Sequence, residues 1–156
     1  MSRFLVERWD VAVFIILAAI HIGSWVELKH SGKLGRKVQD EERRSGAQMM
    51  TASSAAGITA VSILVPASML IVQLSSNNAS FPLGVLSQVF RGAVWFLISL
   101  LLGLIVIFLV PLRSHRTDVR KSLETGIPFG LQLLCLFLGM ARLVTGLYHF
   151  LLAKGG

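Results

Sequence analysis

The chain has 156 residues, of which 54% are hydrophobic and only 15% charged, and its formal net charge is +7. Its mean hydropathy is +0.71. Soluble domains carry about 25% charged residues, so this composition excludes an ordinary soluble domain. The single cysteine, Cys135, excludes an intramolecular disulfide framework and gives no basis for a metal or iron–sulfur centre.

Four apolar runs fill most of the length, at 8–28, 51–74, 89–112 and 129–152. A helix needs about 20 residues to cross the hydrocarbon core of a bilayer, and each run reaches that length. The runs are apolar on all sides, whereas a helix of a soluble core carries one apolar stripe. The expected fold is therefore all-α: a polytopic membrane protein, a four-transmembrane-helix bundle with short loops, forming one domain over 1–156.

The first run follows Arg3 and Arg8, but Glu7 and Asp10 stand among them, and no small-x-small cleavage site precedes Lys29. This pattern predicts a retained span rather than a removed leader. His21 falls in its second half, Glu27 closes it, and Trp9 and Trp25 bracket it as interfacial aromatics.

Segment 29–50 carries Lys29, Lys33, Arg36, Lys37, Arg43 and Arg44 against Asp40, Glu41 and Glu42. From residue 33 onward it lacks proline and is rich in strong helix formers, so the second helix is expected to start ahead of its apolar run. Asp40 and Arg44 have the four-residue spacing of a supporting ion pair. Within the second run, Ser53 with Gly57 and Ala56 with Ala60 have the small-xxx-small spacing that lets helices approach closely in lipid. These four, with Pro66 in the same helix, are the expected packing residues. Pro66 removes one backbone hydrogen bond from the same helix, a break that neighbours can satisfy in a membrane.

Segment 75–88 has no charged residue and contains Asn78-Ala79-Ser80, a glycosylation acceptor pattern. Segment 113–128 carries Arg113, Arg116, Arg120 and Lys121 against Asp118 and Glu124. The positive-inside rule then places 29–50 and 113–128 in the cytoplasm, with 75–88 and both termini external. Because the cations cluster beside the spans, the bilayer's anionic headgroups are the expected partner. Nucleic acid, which a basic soluble domain would suggest, is not.

In the fourth run, Cys135, Arg142 and His149 are seven residues apart and share a helix face, with Gly139 and Gly146 on or near it. An ionisable group inside a span is costly and needs a partner. Arg142 lies about ten residues, roughly 15 Å, from the end of its run. Asp10 enters the membrane from the same side and is the expected partner. Arg142, Asp10, His149, His21 and Glu27 are the candidates for binding or gating. His21 and His149 differ in depth by roughly 12–15 Å, so a haem held by both within one chain is not expected, and no cofactor is. No Ser-x-His pairing, carboxylate cluster within the apolar runs or glycine-rich phosphate loop occurs, which disfavours catalysis.

The reading that follows is a small integral membrane protein acting as an oligomeric pore or channel-type subunit. The alternative is a non-catalytic accessory or scaffold subunit of a larger membrane complex. A small membrane enzyme or transporter comes third. In each of the first two the chain is expected in a homo-oligomer or a hetero-complex.

Overall fold

A computed structural model describes residues 8–30, 40–76, 83–114 and 123–155. Asn78 and the cations of 31–39 and 115–122 lie outside the described residues. The architecture is all-α, with four helices packed as a bundle: α1 is Trp9–His30, α2 is Asp40–Ser76, α3 is Leu83–Ser114 and α4 is Leu123–Gly155. All four are long and apolar enough to cross a membrane, which makes the chain an integral, multi-pass membrane protein.

The helices run past the expected spans. At 37, 32 and 33 residues, α2, α3 and α4 are about 55, 48 and 50 Å long at 1.5 Å per residue, against a hydrocarbon core of about 30 Å. The overhang of α2 is its charged start, Asp40 to Arg44. The helix starts ahead of the apolar run, as its strong helix formers imply, and acidic residues at a helix N-terminus suit its dipole. Pro66, Pro111 and Pro128 all lie inside helices. α2 continues through Pro66, which is exposed. Pro128 sits close to the start of α4.

Consecutive helices alternate in direction. At one end the start of α2, the end of α3 and the start of α4 meet through Met50, Val106, Val110 and Phe129. At the other end the end of α2, the start of α3 and the end of α4 meet through Ile71, Val85, Val89 and Leu143. Helices α2, α3 and α4 thus form a three-helix core. α1 leans on α4 alone at the level of the backbone, while its side chains Trp9, Val13 and Phe14 reach a cluster built on Trp95, Cys135 and Leu138. The outer surface is aliphatic and aromatic on α1, α3 and α4, as Ile15, Ile20, Phe90, Leu101, Phe108 and Phe137 show.

Candidate functional site

The buried side chains that can carry chemistry fall into two polar nodes and one aromatic saddle. The first node centres on Arg142. Its side chain is wholly buried, as is nearly all of Asp10, and Nη2 donates to Oδ1 of Asp10 in an ion pair between α4 and α1. Nη1 donates to Oε1 of Gln88 on α3. The Trp9 ring covers the guanidinium, with its centroid 4.6 Å from Cζ, close enough for a cation–π contact. The second carboxylate oxygen of Asp10 accepts from Trp95 Nε1 at 2.7 Å. A charge in hydrocarbon costs roughly 2.5–3.5 kcal/mol or more, and this node meets that cost with a countercharge, an amide and two indoles. Close backbone packing makes room for it. A Cβ on Gly92 would lie 3.0 Å from the Gly139 carbonyl oxygen and 3.5 Å from the Arg142 Cβ, so α3 and α4 are nearly in backbone contact one turn from the arginine.

The second node lies ten residues back along α4, about 15 Å away along the helix axis. Gln132 is fully buried. Its Oε1 accepts from Ser54 Oγ at 2.9 Å, its Nε2 donates to the Ser54 carbonyl at 3.3 Å, and its own carbonyl accepts from Ser99 Oγ at 3.0 Å. One glutamine therefore ties α2 and α3 to α4. Two glycines create its slot. A Cβ on Gly57 would lie 2.8 Å from Gln132 Nε2, and one on Gly103 only 2.5 Å.

The saddle joins α1 to the start of α4. The Trp25 ring lies over Gly126 and the His21 ring over Gly130, each where a side chain would otherwise stand. His21 Nε2 is 3.3 Å from the Gly126 carbonyl and, when protonated, donates to it. Beside the saddle, α1 and α2 stand apart and leave an apolar cavity of 380 Å³ walled by His21, Trp25, Met49 and Phe129.

The candidates read from the sequence therefore separate. Arg142 and Asp10 meet. His21 is half-buried against α4, while Glu27 is exposed. His149 is also exposed, with the Tyr148 ring edge-on at 6.0 Å. Cys135 and Arg142 face inward but His149 does not share their burial. α1 begins beside Arg142, so two turns further along α4 no described helix covers that face. On α2 the side turned inward is Met50, Ser54, Gly57, Val61 and Ser68. Gly57 belongs to the expected packing set and is buried. Ser53 and Ala60 are half-buried, and Ala56 lies on the outer surface.

Sequence reasoning missed Gln132, Ser54, Ser99, Gln88 and the buried role of Trp95. A glutamine inside the fourth apolar run was the available signal, since a buried amide must find partners. Among the described residues no three His, Cys, Asp or Glu side chains stand close enough to hold a metal ion. The nodes can hold helices in register and place a compensated charge inside the membrane. No protein-family model, curated protein or solved structure matches the chain.

Proposed function

We propose that this protein is an oligomeric pore-type subunit assembled through α2. The observation that carries the reading is the outer face of that helix. Gln48, Ala52, Ala55, Thr59, Ser62, Pro66, Met69 and Gln73 are all exposed and recur at alternating spacings of four and three. That is the repeat that keeps one helix face against another. In lipid, small residues mark close helix approach. The outer faces of α1, α3 and α4, by contrast, carry large apolar side chains suited to acyl chains. Thr59 Oγ donates to the Ala55 carbonyl at 3.0 Å and Ser62 Oγ to the Ile58 carbonyl at 2.9 Å. Each hydroxyl has spent its proton on its own helix and presents only an acceptor oxygen outward. A ring of such oxygens around a shared axis favours cations over anions.

The alternative, an accessory subunit docking the same face on a different protein, has one observation in its favour. The Arg142 charge is paired with Asp10 and the Gln132 amide is bonded to Ser54, both within the chain. The test is disulfide trapping in native membranes, with Ala55→Cys or Thr59→Cys in a Cys135→Ala background. Self-crosslinked oligomers are expected, together with potassium flux through purified protein in liposomes that falls when Ser62→Cys is modified by a cationic thiol reagent. Tight liposomes with no α2 crosslink, while Leu101→Cys on α3 does crosslink, would overturn the reading.

A further inference from the structure

The apolar cavity of 380 Å³ beside the saddle lies outside both polar nodes. Its lining residues all fall within the candidate spans: His21 and Trp25 in that of α1, Met49 and Met50 in that of α2, Phe129 and Leu133 in that of α4. The gap is built into the packing. α1 is pinned to α4 at one end by the Asp10–Arg142 pair and at the other by His21, whose Nε2 meets the Gly126 carbonyl. Gly126 and Gly130 leave room for the Trp25 and His21 rings against α4. Among the described residues α1 makes no backbone contact with α2, and leaning across to close the space would cost it both anchors. One side is open to the bilayer, because Met49 and Leu133 are exposed. Water does not fill such a gap, since a water molecule needs two to four polar partners. Left empty, the gap would forfeit dispersion contacts along its whole lining.

We propose that one acyl chain of a membrane phospholipid occupies this cavity, tail inward, with its headgroup at the membrane surface beside the end of α1. Size selects the occupant. An apolar cavity of about 150 Å³ holds one benzene, so at the same ratio 380 Å³ takes about fifteen carbons, the scale of a single lipid chain. The helix of a second copy, about 10 Å across, would need about 800 Å³ over the roughly 10 Å of α4 between Gly126 and Leu133. Position selects a phospholipid over a free apolar molecule. Trp25 stands two residues, about 3 Å, inside the end of the α1 span at Glu27, so a chain can enter while its headgroup stays in water. The wall is apolar and His21 Nε2 is engaged by Gly126, so the site recognises a chain and is indifferent to the headgroup. The proposal does not depend on the pore reading.

The test is native mass spectrometry of the full chain, extracted in mild detergent from vesicles of phosphatidylcholine and phosphatidylglycerol in equal parts. One phospholipid per chain is expected to survive extraction, with either headgroup at similar abundance. Leu133→Trp and Met49→Trp, each at an exposed position on the wall, place a ring in the gap. Each is expected to lower the adduct roughly tenfold, the loss that displacing two buried methylene groups implies. Leu101→Trp, exposed on α3, leaves it unchanged. In intact vesicles, phosphatidylcholine with a photoreactive group at the end of one chain is expected to label Met49 and 129–133, and to lose that label in the same two variants. Failure to retain a lipid, absence of label at these residues, or indifference of both readouts to Leu133→Trp and Met49→Trp would overturn the proposal. So would a several-fold preference for one headgroup, an adduct with the mass of a free fatty acid alone, or an adduct confined to dimers, which would make the gap a protein interface.

Discussion

Removing one member of the Asp10–Arg142 pair leaves the other charged and buried. Breaking a buried pair this way costs roughly 3–5 kcal/mol, whereas replacing both members with groups of similar volume is far milder. Arg142→Leu strands the Asp10 carboxylate with the Trp95 indole and the Val11 backbone N–H as donors, and also removes a partner of Gln88. Asp10→Asn strands the guanidinium with Gln88 and the face of Trp9. Each single change is therefore expected to cost about 3 kcal/mol. The double change is expected to cost less than the sum by at least about 1 kcal/mol, the interaction energy of residues in one network. The assay is a double-mutant cycle on unfolding free energy in mixed micelles, followed by the fluorescence of Trp9 and Trp95. α1 is held to α4 by this node at one end and the His21–Trp25 saddle at the other, so faster amide exchange in α1 should accompany the single changes. Additivity within about 0.5 kcal/mol, the behaviour of independent sites, would refute the reasoning, because the two charges would then not depend on each other.

Two further outcomes follow from the packing. Gly103→Val puts a branched side chain where Gln132 Nε2 and Ile58 Cγ1 already stand, 2.5 and 3.1 Å from the new Cβ. It should destabilise by about 1–3 kcal/mol as overpacking does, with Gln132→Leu in the same background recovering part of the loss; thermal unfolding in detergent reads both. Trp95→Phe keeps most of the ring but removes the donor to Asp10, and should cost about 1–3 kcal/mol for the unsatisfied carboxylate oxygen, against no measurable effect for Trp25→Phe, whose nitrogen makes no described bond.

The four helices are legible in the sequence because hydrocarbon thickness dictates their length and nothing else of that length fits. The Asp10–Arg142 pair is legible for a related reason: two opposite charges entering lipid from one side have few other places to go. The inward face of α2 is harder. Ser53 and Ser54 differ by one residue and about 100° of rotation, and only the tertiary position of Gln132 decides that Ser54 turns in. Trp95 resembles an interfacial aromatic until the depth of Asp10 beside it is known. The saddle of His21 and Trp25 on Gly130 and Gly126 depends on the antiparallel register of α1 and α4, which no local pattern encodes.

The Asp10 node also constrains how the chain is made. The acid lies 85 residues before its indole donor and 132 before its arginine. At roughly 5–20 residues per second, synthesis leaves about 7–26 s between the emergence of Asp10 and that of its countercharge. During that interval the first helix must wait with its acid protonated, raised to the headgroups or sheltered by the insertion machinery. Completion of the last helix is then the event that locks the first one into place, and a ribosome stalled before it would leave behind a segment that membrane quality control can recognise.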